Sequence, residues 1–593
     1  MIANKIKPLL QLALRYEGLF SEAIKENFIV DENQNLWEII MEYVGDLETI
    51  KVQNNLREAY DLKGGFAQII IHKNEIGNLS NDPLVLRLSI PTGLDYIDIG
   101  LGQICAGSLS QPESALAATG EGVLLAVIDS GIRYNHPDFI TETGQSRIVY
   151  LWDQTLGEDA AAVNGGGGIV YSNAQINEAL SYATVEEQLR IVPSQDTLGH
   201  GTALAGIAGG NGLASAGGRN KGVATECEFI IVKIGNGQME KPRDIDVMQG
   251  IDFAIERASE LRRPLVILLG IGNNLTGHDG TSPLERYISR RYDNWLLNFV
   301  VGTGNEGNRS SHASGGLQMN QSQTIQISMD APNLTEYGCC IWKRFSDDIS
   351  IEITAPNGEK TDELSLLTPN RAYLFGEVAV LVNYSVPITH INQQVIYILF
   401  IAQGEATLGS GLWTLRLRGN NIIEGFYEVW GSIVPRLPNN RIELLNPSLT
   451  KTLTSPATAE VITSVGAYNS ATRQVDAFSG RGFTADERIA PDLVAPGVNI
   501  TSPSNEEGSL YHTITGTSAA AAFVAGAYVV MMGYGIFTLN QLSYYGEQLR
   551  IYLLRNAQRP SNYAPYPNNS WGYGLLCVQA ALNDMKEIAE QTT

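Results

Sequence analysis

The chain has 593 residues, with 40 Lys and Arg against 63 Asp and Glu, a formal net charge of −23, and a hydrophobic content of 44%. This apolar content is ordinary for a globular protein and excludes wholesale disorder, while the negative charge argues against a nucleic-acid partner. The cysteines match neither a disulfide framework nor zinc-ligand spacing, so we expect reduced thiols. They are Cys105, Cys227, Cys339, Cys340 and Cys577.

The first 96 residues combine helical and strand-like patterns, and we expect a small α+β domain there. The patterns predict helices over residues 6–14 and 36–44 and strands over residues 66–71 and 84–90. The N-terminus has a short apolar run but no small-residue cleavage site. We therefore expect no signal peptide, and synthesis in the cytoplasm.

From about Gly120 the pattern becomes that of a parallel α/β fold. Uninterrupted apolar runs are typical of strands buried on both faces of a parallel sheet. They occupy residues 122–128, 229–233, 265–269 and 299–302, with helical patterns at 202–209 and 244–260. Strands and helices in alternation predict a doubly wound sheet with right-handed crossovers.

The α/β pattern is interrupted over residues 318–450, where short alternating strands predict an inserted all-β domain, a sandwich or jelly roll. This divides the chain into residues 1–96, 97–317, 318–450 and 451–593, with the second and fourth segments forming one α/β domain. Residues 508–546 contain no Asp, Glu, Lys or Arg. Because no basic residues flank this stretch, we interpret its middle as a buried core helix and expect no membrane span.

Three short motifs carry residues of the kind that hydrolytic chemistry needs, each at a predicted junction of strand and helix. They are Asp129 in Asp-Ser-Gly, His200 in Gly-His-Gly-Thr and Ser518 in Gly-Thr-Ser. Taken singly, the aspartate could cap a helix and the histidine could shape a turn. In an open α/β sheet, however, side chains converge at the carboxyl ends of the strands, so the three together predict one site.

Their chemistry is complementary. A serine hydroxyl is a weak nucleophile until a base removes its proton, a neutral histidine can act as that base, and a buried aspartate orients the histidine. Asn305 follows the predicted strand over 299–302, and its amide could donate to a developing oxyanion. Gly302, Thr303 and Gly304 lie directly before it and are predicted to bind substrate.

These motifs, in the order Asp, His, Ser, resemble those of subtilisin-like serine proteases, the subtilases. Residues 490–497, Ala-Pro-Asp-Leu-Val-Ala-Pro-Gly, add a further block of that family. Within it the chain is most similar to clostridial spore-germination proteases of the Csp type and related Firmicutes subtilases. The shared features are Gly64-Gly65-Phe66-Ala67 in the N-terminal domain, His278–Ser282, the inserted β domain and Trp571–Gly574.

The resemblance implies a serine endopeptidase whose first 96 residues are a prodomain, acting as an intramolecular chaperone and then as an inhibitor. Self-cleavage is expected near Tyr96–Ile97, within residues 90–100, with the prodomain retained in the active-site cleft. Gly270, Ile271 and Gly272 stand where subtilases usually carry Ser-Leu-Gly on the substrate-binding strand. Pairing with a peptide should survive that difference.

The implied substrate is a protein or peptide, with the precursor of a spore-cortex hydrolase as the germination candidate and the spore as the candidate location. The alternative is a catalytically silent scaffold that binds a partner or a germinant signal, as in Csp relatives that lack triad residues. No cofactor is expected to be required. Calcium is compatible with the fold, but scattered Asp and Glu residues do not define a site for it.

Overall fold

The computed structural model describes residues 5–96, 118–157, 167–235, 242–292, 296–385, 393–434 and 440–592. They form two compact units. The first comprises Met1–Gly93, Asn273–Gly277 and Asn308–Thr452, and the second comprises Leu94–Gly272, His278–Gly307 and Leu453–Thr593.

The N-terminal part of the first unit is an antiparallel sheet with helices packed against it. Its strands follow the order β1-β2-β4-β3, and β5 pairs with the other edge of β2. The predicted helix over residues 36–44 is wrong, because this segment is the central strand β2, buried along its whole length. The elements are α1 (Pro8–Tyr16), α2 (Glu22–Lys25), β1 (Ile29–Asp31), β2 (Leu36–Tyr43), α3 (Leu47–Gln53), β3 (Glu58–Asp61), β4 (Phe66–His72), α4 (Ile76–Leu79) and β5 (Val85–Ser89).

The second unit begins with the strands that the apolar runs predict. All four runs form neighbouring parallel strands of one sheet, in the order β13-β11-β7-β10. The elements of this segment are β6 (Asp95–Tyr96), β7 (Leu124–Asp129), β8 (Ile148–Asp153), β9 (Ile169–Ser172), α5 (Asn173–Leu180), α6 (Val185–Ile191), α7 (His200–Gly209), β10 (Glu228–Lys233), α8 (Asp244–Leu261), β11 (Leu265–Leu269), β12 (Ile271–Gly272), α9 (Pro283–Arg291) and β13 (Leu297–Gly302).

The inserted segment is all-β, as predicted, but its first strand begins at His312, ahead of the predicted start at residue 318. Two antiparallel sheets, ordered β14-β22-β16-β20-β19-β18 and β17-β21-β15-β23, share one apolar core. The strands are β14 (His312–Gly316), β15 (Ser322–Ala331), β16 (Glu336–Arg344), β17 (Asp348–Thr354), β18 (Asn370–Phe375), β19 (Val378–Tyr384), β20 (Gln393–Ala402), β21 (Gly409–Asn421), β22 (Phe426–Gly431) and β23 (Arg441–Leu444).

The last segment completes the second unit. Strand β24 pairs with β13 and extends the sheet to nine strands among the described residues, ordered β25-β24-β13-β11-β7-β10-β8-β9 with β26 on β24. The elements are β24 (Thr463–Asn469), β25 (Gln474–Val475), β26 (Leu493–Pro496), β27 (Ile500–Pro503), β28 (Tyr511–Ile514), α10 (Thr517–Gly533), α11 (Gly546–Arg555) and α12 (Val578–Thr592).

Helix α10 lies in the core of the second unit and is buried at all its residues except Phe523. Within the described ranges, the helical stretch Thr517–Thr538 is the one with the length and apolar character to cross a membrane, and 89% of its most apolar window is buried inside the protein. Such burial is typical of a core helix. The absence of a membrane span stays a prediction.

In the first unit the N-terminal segment and the inserted β-sandwich share a hydrophobic cluster. Leu10, Leu12 and Ala13 of α1 belong to the same cluster as Leu381 of β19 and two residues of β20. Polar contacts border it: the Tyr16 hydroxyl donates to Asn370 O at 3.0 Å, and Asn383 Nδ2 donates to Gln11 Oε1 at 3.0 Å. The two segments are therefore joined by a packed interface.

We predict that Leu381→Ala loosens helix α1, because truncating a buried leucine costs about 2–5 kcal/mol. Leu381 is 0% exposed, whereas Leu374 of the neighbouring strand is 64% exposed, so Leu374→Ala is the matched control. Hydrogen exchange should become faster over Pro8–Tyr16 in the Leu381 variant and stay unchanged in the control. Unchanged protection of α1 in both variants would contradict the shared interface.

Candidate active site

The structure brings together the three residues that the motifs single out. Asp129 is the last residue of β7, His200 the first of α7 and Ser518 the second of α10. His200 Nδ1 lies 2.7 Å from Asp129 Oδ1, and His200 Nε2 lies 3.0 Å from Ser518 Oγ. All three side chains are buried.

This geometry suits nucleophilic catalysis by serine. With the Nδ1 proton donated to Asp129, the Nε2 atom of His200 can accept the Ser518 hydroxyl proton as the oxygen attacks a carbonyl. The carboxylate then stabilises the imidazolium that forms. Asp129 is itself held in place, because Ser130 N donates to its Oδ1 at 2.8 Å.

Asn305 lies beside the serine with its amide oriented by the residue before the nucleophile. Thr517 N donates to Asn305 Oδ1 at 3.0 Å, and Thr517 Oγ1 donates to the same oxygen at 3.2 Å. Because both contacts use the amide oxygen, the NH₂ end is the one that can donate to an oxyanion. Removing such a donor typically costs a factor of 10²–10³ in kcat.

The strand residues predicted to bind substrate form two edges of this site. Ile271 and Gly272 are β12, which pairs antiparallel with β6, so that Ile271 is opposite Tyr96 and Gly272 is opposite Asp95. Gly302 ends β13, and Thr303 and Gly304 follow it. The segment before the predicted cleavage point thus lies along the predicted substrate strand.

Tyr96 reaches the triad itself. Its ring centroid is 5.8 Å from that of His200, and Leu94 N, just before β6, donates to Pro242 O at 2.7 Å. Burial, followed by the nearby Asp129 carboxylate, raises the pKa of the Tyr96 phenol, so that it stays protonated. Ile97, the other residue of the predicted cleavage bond, lies outside the described residues.

Gly270 allows the predicted substrate strand to approach Asp129 and His200. A β-carbon added there would lie 2.2 Å from Asp129 Oδ2 and 2.6 Å from His200 Cε1, closer than atoms pack without displacement. The serine usual in subtilases would therefore not fit without moving the triad or the strand. Glycine at this position is a requirement of the observed geometry.

Sequence reasoning missed Asp196, which fixes the start of α7. Its Oδ1 accepts from Ser130 Oγ and Gly199 N at 2.8 Å each, and its Oδ2 accepts from Thr202 N at 2.9 Å and Thr202 Oγ1 at 2.6 Å. This carboxylate connects the end of β7 to the helix that carries His200. The sequence signal that could have identified Asp196 is its position a few residues before Gly199, the N-cap residue of that helix.

Among the described residues, no group of three or more His, Cys, Asp or Glu side chains is arranged so that it could hold a metal ion. The expectation that no cofactor is required stays a prediction.

Comparison with known proteins identifies the family of the chain. The model of the subtilase family (peptidase S8) matches residues 120–374 and 437–574, more than half of the chain, and the Csp protease B prodomain matches residues 4–92. The chain belongs to the subtilase family. The predicted resemblance and the predicted subtilisin-like fold with an N-terminal prodomain are confirmed.

Individual relatives support the same conclusion. The structure of the Clostridium perfringens CspB protease is 32% identical with a TM-score of 0.71, and the match covers 79% of this chain and 94% of that one. The minor extracellular protease Vpr of Bacillus subtilis is 23% identical over 503 residues, 79% of this chain and 52% of Vpr. This chain therefore spans about half the length of Vpr. Serine protease AprX of the same organism is 37% identical over 94 residues, 13% of this chain and 21% of AprX.

We predict that Asp196→Asn destabilises the protein by about 2–4 kcal/mol, because an amide cannot accept the donors that converge on both carboxylate oxygens. The exposed Glu178→Gln makes the same chemical change on the surface and is expected to have an effect within about 0.5 kcal/mol. Chemical denaturation measures both. Equal stabilities of the two variants would show that Asp196 does not hold the start of α7.

Proposed function

We propose that this protein is a serine endopeptidase that cleaves peptide bonds through Ser518, His200 and Asp129. The observation that carries the proposal is the continuous chain of contacts from Asp129 through His200 to Ser518, with the Asn305 amide beside it. Membership of the subtilase family supports it. A silent scaffold would have no need to preserve this geometry.

A fluorophosphonate probe tests the nucleophile. We expect wild-type protein to be labelled and Ser518→Ala to remain unlabelled, because the probe reacts only with an activated serine. Ser543→Ala removes an exposed serine outside the three motifs and should be labelled like the wild type. The digest of the labelled protein should carry the mass of the probe on the peptide that contains Ser518.

We further propose that the chain cuts its own N-terminal segment between about Ile90 and Gly100, near Tyr96–Ile97. The support is the pairing of β6 with β12, which makes Asp95 and Tyr96 a bound peptide directed at the triad. Retention of the severed prodomain in the cleft follows from the same pairing. In the first unit, the cluster shared by α1 and β19 would hold the prodomain to the insert as well.

Intact-mass analysis of purified protein tests self-cleavage. Wild type and Ser543→Ala should each give two fragments that co-purify, whereas Ser518→Ala should give one full-length chain. Cutting at the same bond in Ser518→Ala would mean that another protease makes the cut. A wild type that is labelled by the probe but stays uncut would be consistent with the endopeptidase proposal and would overturn the self-processing proposal.

The biological role that we propose is activation of a spore-cortex hydrolase precursor during germination, after synthesis in the cytoplasm and incorporation into the spore. It is supported by the match to the Csp protease B prodomain and by the similarity to CspB. Cleavage of such a precursor by the purified protein, absent with Ser518→Ala, is the direct test.

A further inference from the structure

His278 opens the motif His278–Ser282, which lies outside the triad and outside the predicted substrate strands. Its side chain is 1% exposed, and its Nδ1 lies 2.6 Å from Leu453 O. Because a carbonyl oxygen can only accept, this contact places the imidazole proton on Nδ1. The second unit resumes at Leu453 after the inserted domain, so His278 holds the segment that re-enters this unit.

The backbone holds His278 in a conformation that few side chains adopt. Its φ is +50°, in the left-handed region, where Gly and Asn are common and most other residues are strained. Ala485 N donates to His278 O at 2.7 Å. The motif also contacts the re-entering segment a second time, since the hydroxyl oxygens of Ser282 and Ser455 are 3.2 Å apart. These contacts fix the imidazole relative to Leu453.

The peptide unit between Leu453 and Thr454 connects His278 to the turn after β13. Its carbonyl accepts from His278, and its N–H, on Thr454, donates to Thr303 O at 3.0 Å. The C=O and N–H groups of a trans peptide point in opposite directions within one plane. The imidazole and the Thr303 carbonyl therefore lie on opposite sides of one rigid unit.

A second peptide unit continues this connection as far as Asn305. It joins the Thr303 carbonyl to the Gly304 N–H, and Gly304 N donates to Thr517 Oγ1 at 3.1 Å. Thr517 Oγ1 donates in turn to Asn305 Oδ1 at 3.2 Å. Four hydrogen bonds, all with the same donor-to-acceptor direction, thus run from His278 Nδ1 to the Asn305 amide.

The direction and burial of these bonds bear on the oxyanion donor. Hydrogen bonds in series polarise one another, and each is electrostatically stronger in a buried, low-dielectric setting. Thr303 and Thr517 are 0% exposed, and Leu453 and Thr454 are 1% exposed. The final acceptor is the Asn305 amide oxygen. An amide whose oxygen accepts a stronger bond has a more positive NH₂ group, and that group is the end that can donate to an oxyanion.

Resting on the proposed endopeptidase function, we propose that His278 is a positioning residue for Asn305. Through two peptide units it fixes the turn that precedes Asn305 and orients the amide toward the oxygen that becomes charged in the transition state. Because that charge forms only when Ser518 attacks, His278 affects the rate of the chemical step and not the binding of substrate.

Three substitutions separate the hydrogen-bond donor from the volume that His278 fills. His278→Asn keeps an N–H group and tolerates the positive φ. His278→Leu has nearly the same shape as the asparagine variant but no donor, and His278→Gly suits the backbone without filling the space. His72→Leu makes the same chemical change at a half-buried histidine in β4 and is the control.

The rate constant for fluorophosphonate labelling of Ser518, measured against probe concentration, is the readout, because attack on phosphorus also places negative charge on an oxygen. Loss of an oxyanion donor costs 10²–10³, so we expect the maximal rate constant to fall about tenfold in His278→Leu and His278→Gly and to stay within about twofold in His278→Asn. The probe concentration for half-maximal rate should not change. The His72→Leu control should match the wild type in both quantities.

Combined substitutions separate positioning of Asn305 from a merely structural role. Asn305→Ala alone should lower the maximal rate constant by about 10²–10³. Adding His278→Leu to Asn305→Ala should cause no further loss, because the group through which His278 acts is then absent. Losses that multiply in the double variant would show that His278 acts elsewhere and would overturn the proposal.

The remaining outcomes distinguish this proposal from the endopeptidase. Circular dichroism identifies the folded variants, and either His278→Leu or His278→Gly is sufficient if the other does not fold. A labelled wild type with an equally fast donor-less variant overturns the role of His278 alone, as does a His278→Asn variant that is as slow as His278→Leu. A folded wild type that cuts no peptide and leaves Ser518 unlabelled overturns the endopeptidase.

Discussion

The short contact between the Asp129 carboxylate and the His200 imidazole is the constraint on which the rest of the second unit depends. Both groups are buried, so each must be satisfied by protein atoms rather than by water. The contact requires the end of β7 and the start of α7 to be fixed within a few tenths of an ångström. Asp196 and Ser130 supply that precision, since Ser130 Oγ donates to Asp196 and accepts from Gly201 N at 2.9 Å.

The positions at which the chain leaves and re-enters the second unit explain how an inserted domain is tolerated between Asn305 and Ser518. The chain leaves the second unit after Gly307 and re-enters it at Leu453, and Thr454 then bonds to Thr303, close to the point of departure. Because the two ends return to one place, the insertion leaves the order of β13 and β24 in the sheet intact. The re-entering segment then lies against two of the glycines predicted to bind substrate, since Thr454 contacts Gly272 and Gly304.

The elements of the fold and the residues of the site that could be predicted from the sequence are those marked by a local sequence pattern. Strands buried on both faces leave unbroken apolar runs, and the triad motifs stand at strand and helix boundaries that those runs define. The helical prediction for β2 is wrong because the buried polar residues of this strand depend on distant partners, as where Arg87 donates to Glu42 at 3.4 Å. Asp196 has a local signal in its place before the N-cap of α7, but its contact with Ser130 joins residues that are remote in sequence.

The cluster shared by α1 and β19 has a consequence for how the protein is made on the ribosome. Translation adds ~5–20 residues per second, so the emergence of Leu10 precedes that of Leu381 by roughly tens of seconds. During that interval the part of the α1 surface that Leu381 covers has no partner in the nascent chain. The first unit is therefore completed late in synthesis, although its N-terminal strands are translated early. Until then the nascent chain exposes an apolar surface of the kind that cellular chaperones bind.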